Sequence, residues 1–206
     1  MYARTSTLMC DPSAIDNGIA YVRDEVWPAV REMNGCLGMS LIVDRQSGKA
    51  IATTSWETEG AISASRNAVI PLRERAAEIM GATSSVVEEW ELGSMHRAHN
   101  SNPDACVRTT WIEVDPDKVD DVIDFYKTQL LPPIEQYDGF ASASLLVNRS
   151  KGRAVVSVAF DSREAMERTR PKAAELRDKA QEAGMRIAEV AECELALAHL
   201  HAPELV

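Results

Sequence analysis

Residues 35–57, GCLGMSLIVDRQSGKAIATTSWE, and residues 139–161, GFASASLLVNRSKGRAVVSVAFD, are one pattern written twice. Each alternates side-chain character, passes a polar turn ending in Gly, and returns through a β-branched run to an aromatic. That is a β-hairpin. At a constant offset of 104, Gly35 falls on Gly139, Leu41 on Leu145, Val43 on Val147, Gly48 on Gly152 and Trp56 on Phe160. The match spreads outward: Arg4-Thr5 meets Arg108-Thr109, Asp11-Pro12 meets Asp115-Pro116, Pro28 meets Pro132, and Leu72-Arg73 meets Leu176-Arg177. After a one-residue slip, Glu91-Leu92 meets Glu194-Leu195. A self-match of about a hundred residues is domain-sized rather than a solenoid unit. The sequence therefore predicts two copies of one domain, 1–92 and 107–197, with a polar linker 93–106 and a tail 198–206.

Working outward from each hairpin gives the remaining elements. Tyr2 to Met9 alternates and is Thr-rich, as a strand should be. Asp11-Pro12 opens a helix striped by Ile15, Ile19, Val22, Val26 and Val30. Pro28 is expected to kink or restart this helix just after Trp27. Past the hairpin, Glu57 to Met80 reads as a second helix, Gly81 ends it, and Thr83 to Leu92 is a fourth strand. The second half repeats the order: a strand from Val107, a helix striped by Val119, Val122, Ile123, Tyr126 and Leu130, the hairpin, a helix Ser162–Ala183, and a last strand to about Leu197. Each half is β-α-β-β-α-β, the ferredoxin-like unit. In the first hairpin Met39, Leu41 and Val43 face the helices, while Gly38, Ser40 and Ile42 face away and need a cover. The predicted fold class is thus α+β: tandem ferredoxin-like βαββαβ domains whose antiparallel sheets close an α+β barrel within one chain.

Bulk properties narrow the partners. A formal net charge of −10 over 206 residues disfavours nucleic acid and anionic membranes. The start, MYARTSTLMCDPS, has no signal-peptide apolar core, which points to the cytoplasm. No apolar run is long enough to span a bilayer. Cys10, Cys36, Cys106 and Cys193 lack metal or disulfide spacing and read as buried apolar residues.

The strand-to-helix junction Ser55-Trp56-Glu57-Thr58-Glu59-Gly60-Ala61, echoed as Ala159-Phe160-Asp161-Ser162-Arg163-Glu164-Ala165, together with the element order, resembles the antibiotic-biosynthesis monooxygenase (ABM) family of dimeric α+β barrels. The resemblance spans nearly the whole chain. It makes Trp56 a core plug and Thr58 or Ser162 a helix N-cap. It implies a small aromatic or quinone-type ligand and no cofactor. If the chain is an enzyme, it implies a cofactor-independent monooxygenase, whose substrate becomes a carbanion and reduces dioxygen itself. A non-catalytic binding or assembly protein on the same fold is the alternative. Haem handling is a third reading, set against the absence of His and Trp from both second helices. Pairing of the chain with a second copy is left open.

The candidate substrate-binding residues are Trp27, Trp56, Tyr137, Arg4 and Arg108. Trp27 beside Pro28, and Tyr137 before Gly139, sit at helix ends that border a cavity mouth. Arg4 and Arg108, on first strands, have Glu89, Glu91, Glu192 and Glu194 on neighbouring fourth strands. Cross-strand ion pairing is one expectation, and holding an oxyanion is the other. His96, His99, His199 and His201 are expected in solvated linker and tail. Asp117, Asp120, Asp121 and Asp124 form a solvated helix face. Met33 stands where the second half has Tyr137, so the two halves differ in their pocket candidates.

Overall fold

The computed structural model describes residues 1–200 and Leu205; His201 lies outside the described residues. The fold is α+β. The strands are β1 Tyr2–Met9, β2 Cys36–Asp44, β3 Lys49–Trp56, β4 Ser84–Arg97, β5 Cys106–Glu113, β6 Phe140–Asn148, β7 Arg153–Phe160 and β8 Arg186–Leu200. The helices are α1 Ile15–Tyr21, α2 Trp27–Arg31, α3 Glu59–Ile79, α4 Val119–Phe125, α5 Leu131–Glu135, α6 Arg163–Arg168 and α7 Arg170–Glu182. Every strand pair whose register is described is antiparallel, and the hydrogen-bonded order β1-β3-β2-β8-β5-β7-β6-β4 closes on itself.

The chain forms two compact units, with boundaries inside β4 and β8. The first holds Met1–Trp90 and residues 195–200, and the second holds Glu91–Glu194. In the first, β3 lies between β1 and β2, with Thr5 opposite Thr53 and Ser40 opposite Thr53. Met39, Leu41, Val43, Ile15, Val22, Val30 and Trp56 form its core. In the second, β7 lies between β5 and β6; residues 91–97 of β4 add to β6, and residues 186–194 of β8 add to β5. Leu145, Val147, Val122, Tyr126, Phe160 and Met166 lie in its core.

Local chemistry explains the element ends. Asp11 and Asp115 accept from the backbone N–H groups of Ser13 and Asp117, and a Pro follows each at the first helical turn. Thr58 and Ser162 cap α3 and α6 by accepting from the N–H groups of Ala61 and Ala165. At Pro28 the helix restarts as α2, after a π turn, Val22–Val26, in which the Trp27 N–H bonds the Val22 carbonyl. Tyr126–Leu130 does the same before Pro132, with the Leu131 N–H on the Tyr126 carbonyl. Proline has no N–H and its ring crowds the carbonyl one turn back, so the widened turn absorbs both problems.

Three expectations of extent change. The second helix of the second half is not continuous: it breaks at Thr169, because Pro171 cannot bond the preceding turn and restarts the helix near its own N-terminus. β4 runs on to Arg97, through the first five of the fourteen residues read as linker, because β6 offers it a pairing edge at Ser142–Val147. β8 likewise reaches Leu200, beyond the expected Leu197.

The two hairpin glycines are fixed by close approach as well as by backbone angle. Gly48 (φ 79°) and Gly152 (φ 58°) lie against the ends of β1 and β5, where an added Cβ would come 2.2 Å from the Cys10 carbonyl oxygen and 2.1 Å from that of Val114. Gly184 (φ 89°) has nothing within 4 Å of such a Cβ. Gly48→Ala and Gly152→Ala should therefore destabilise by about 3 kcal/mol, and Gly184→Ala by only about 1 kcal/mol. Urea unfolding of the three variants checks this, and equal midpoints would contradict the packing argument.

Candidate functional site

Each unit contains a cavity between its sheet and its helices. The first, about 70 Å³, is lined by Arg4, Val22, Val26, Met39, Leu72 and Arg73 among others. The second, about 60 Å³, is lined by Arg108, Leu130, Tyr137, Phe160 and Arg177 among others. The π turns contribute Val22 and Val26 to one wall, and Leu130 to the other.

Arg4 and Arg108 are the polar anchors of these cavities, and both are buried, at 3% and 5% exposure. Arg4 donates from Nε and Nη2 to Glu89 Oε1 (3.1 and 2.8 Å), from Nη1 to Ser65 Oγ (2.9 Å) and from Nη2 to the Ile62 carbonyl (2.6 Å). Arg108 repeats the set: Nε and Nη2 to Glu192 Oε1 (2.9 and 2.8 Å), Nη1 to Thr169 Oγ1 (2.7 Å) and Nη2 to the Met166 carbonyl (2.8 Å). Each acceptor sits 103 or 104 residues beyond its counterpart. Four of the five guanidinium N–H groups are thus used within the protein in each unit. The cross-strand ion pairs are present, and the arginine of each faces the cavity wall rather than solvent.

The carboxylates are shared with surface arginines, Arg66 on Glu89 (2.8 Å) and Arg170 on Glu192 (2.6 Å). Burial pushes the Glu192 pKa up, but hydrogen bonds from Arg170 and Arg108 outweigh it and hold the group below the usual glutamate range. Glu89 behaves in the same way with Arg66 and Arg4.

Arg73 and Arg177 occupy matching places on the second helices, are half-buried, and line their cavities. Arg177 has no hydrogen bond or ion pair with the described residues. Burial, then the like charge of Arg108, pushes its pKa down. Tyr137 is 8% exposed, stacks on Phe160 at 6.3 Å, and has a buried hydroxyl with no hydrogen-bond partner among the described residues. Burial pushes this phenol up, so it stays protonated.

Of the five predicted residues, Arg4, Arg108 and Tyr137 line cavities. Trp56 and Trp27 do not. Trp56 is fully buried in the core and donates from Nε1 to Thr54 Oγ1 at 3.0 Å; its bulk is used for packing. Trp27 is half-buried and stacks on His199 with ring centroids 4.8 Å apart. The expectation that the histidines are solvated in linker and tail needs correcting for two of them. His96 lies in β4, stacked on Phe140 at 5.9 Å, and His199 lies in β8. His99 is exposed, 3.6 Å from Asp161. Sequence reading did not assign Arg73 and Arg177 to the site, although their repetition was visible.

Among the described residues no group of three or more His, Cys, Asp or Glu is placed to hold a metal. Burial pushes the thiols of Cys10, Cys36 and Cys106 up, away from reactivity. No helix of the described residues is long and apolar enough to cross a membrane.

Comparison with known proteins finds no matching family model. The chain is 54% identical over 207 residues to the uncharacterized protein Rv2557 of Mycobacterium tuberculosis, covering all of this chain and 92% of the relative. Among solved structures it is similar to a presumed monooxygenase of Fusobacterium nucleatum, with TM-score 0.72 and 13% identity over 99% of this chain and 95% of the other. An anthrone oxidase-like protein gives TM-score 0.67 and 16% identity, over 99% and 94%. A ferredoxin fold protein of Listeria monocytogenes related to antibiotic biosynthesis monooxygenases gives 0.54 and 11%, over 100% and 96%.

Glu192 tests the anchor. Its folded-state pKa is depressed, so its stabilisation is present above the unfolded value of about 4.3 and is lost as pH falls through the lower folded value. Glu192→Gln should cost about 2 kcal/mol at pH 7, because Arg108 is left buried without its counter-charge. The same variant should lose less stability than the parent between about pH 5 and pH 3. Parallel pH curves from urea titrations would refute this assignment.

Proposed function

The chain belongs to the family of the Mycobacterium tuberculosis protein Rv2557, and from its fold likeness to ABM-related structures and the cavity geometry we propose that it is an ABM-like protein that binds a small molecule between sheet and helices. The observation that carries the reading is a mostly apolar cavity, in each unit, with a guanidinium in its wall and a π turn along its edge. Few convergent polar groups in an apolar wall are what ligand sites have in common. Recurrence of the Arg4 contacts around Arg108 supports reading 1–92 and 107–197 as duplicated ferredoxin-like domains.

Binding without chemistry is the better-supported form. Among the described residues neither cavity is lined by a His or a carboxylate that could serve as the general base for making a carbanion. The cofactor-independent monooxygenase acting on an aromatic or quinone-type molecule is the second reading. It is favoured by the fold shared with the presumed monooxygenase and the anthrone oxidase-like protein.

The intact chain, incubated with a panel of quinols and anthrone-type phenols, separates the two. The expected result is no oxygen uptake at an oxygen electrode, with any ligand that binds recovered unchanged. Uptake that saturates with substrate, and falls when Ala173→Leu fills the second cavity, would replace this reading with the monooxygenase. Neither binding nor uptake across the panel would remove the aromatic ligand.

A further inference from the structure

We infer that the cavity of the second unit is a site for a short apolar carboxylate, its oxyanion held by Arg177 and the Tyr137 hydroxyl and its tail lying against Ile112, Leu130, Val156 and Val158. This rests on the small-molecule reading above and names the ligand class.

Three features of one wall favour an anion. First, the Tyr137 side chain is more than nine-tenths buried and its hydroxyl has no acceptor among the described residues. A buried donor left without an acceptor costs about 1–3 kcal/mol, and a carboxylate oxygen would accept from it. Second, Arg177 lines the same cavity half-buried, without hydrogen bond or ion pair to the described residues. Third, the other cation there, Arg108, is already matched by Glu192, which also serves Arg170. The charged side chains among the described residues that line the cavity are therefore both cations, Arg108 and Arg177, and their charges act on Tyr137 against that of Glu175. A guanidinium and a phenol are both donors, and a carboxylate is acceptor-only with two oxygens to offer.

Volume sets the tail. The cavity is small, about 60 Å³, so a short apolar tail suits it, and propionate and isobutyrate are the probes of choice. The first unit differs at the decisive place. Met33 stands at the position matching Tyr137 and does not line its cavity, so Arg73 has no phenol to act with.

The test is calorimetric titration of the full chain with sodium isobutyrate at constant ionic strength, beside the neutral isostere isobutyramide, with xenon-129 NMR as a charge-independent probe of the cavities. Saturable binding of one isobutyrate per chain is expected. Isobutyramide should bind at least tenfold more weakly. Arg177→Met and Tyr137→Phe should each weaken isobutyrate at least tenfold, and Arg73→Met should leave it unchanged. Tyr137→Phe retains the ring that packs on Phe160, so its loss of binding would not be a folding effect. Equal binding of acid and amide, or binding indifferent to both second-unit variants, would overturn the assignment. Xenon uptake without isobutyrate binding would overturn the carboxylate and leave the small-molecule reading standing. Absence of both would overturn the two together.

Discussion

A guanidinium buried beneath a helix dictates how much of the rest must be arranged. Arginine enters a core only if its N–H groups find acceptors and its charge a partner, because either deficit costs several kcal/mol. Arg108 meets that demand with groups drawn from three places: Glu192 on β8, Thr169 at the break between α6 and α7, and the Met166 carbonyl at the end of α6. Those groups must therefore sit at fixed distances from β5. Arg4 fixes α3 over β1 in the same way through Ser65, Ile62 and Glu89. The threonine and serine are relays, since each accepts from the arginine and donates to the same carbonyl that the arginine bonds. Replacing the arginine by an apolar side chain would free the helix to settle, whereas keeping it holds the helix at a set height.

That height leaves space. Val, Leu and Ala side chains near the anchors do not reach across the gap between sheet and helix, and cavities of about 70 and 60 Å³ remain. Voids of that size forfeit dispersion contacts along their walls and weaken a small core. The opposite wall is formed in part by π turns, whose wider backbone is forced by Pro28 and Pro132. A rigid polar anchor on one side and a turn that departs from ideal helix on the other bound the same space. Local departures from the rules of stable packing gather at functional sites more than elsewhere, and here they gather at the cavities.

The parts of this legible in the sequence are those determined locally. Period-two alternation, Gly48 and Gly152, and the caps Asp11, Asp115, Thr58 and Ser162 each act within a few residues, so the hairpins and helix starts could be read directly. The extension of β4 to Arg97 could not. His96 and Arg97 look like linker residues until Ala143 and Ser142 are known to lie opposite them. Proline was legible as a perturbation but not in its outcome. Pro28 gives a π turn, Pro171 a break, and Pro71 sits inside α3 without ending it, because the result depends on what each helix packs against. At the site, Arg4 and Arg108 stood out as charges on strands whose other residues, Glu113 at the end of β5 excepted, are apolar or hydroxyl-bearing. Arg73 and Arg177 did not, since an arginine on a helix ordinarily lays its stem along apolar surface and puts its charge in water. Trp56, read both as a core plug and as a binding candidate, fills the core.

The asymmetry between the units then carries its own argument. Phe160, stacked on Tyr137, shows that this wall accepts a plain phenyl ring. A phenylalanine at 137 would fill the same volume without burying a hydroxyl that lacks an acceptor, and would be the more stable choice by about 1–3 kcal/mol. The first unit, with methionine at the matching position, carries no such burden and has no orphaned polar atom beside its cavity among the described residues. Stability alone therefore does not account for Tyr137, and neither does packing, which Phe160 satisfies. What distinguishes the position is its neighbours: a cavity, a matched arginine and an unmatched one. A hydroxyl donor placed among cations is unfavourable in an empty cavity and becomes favourable once an acceptor with negative charge enters it.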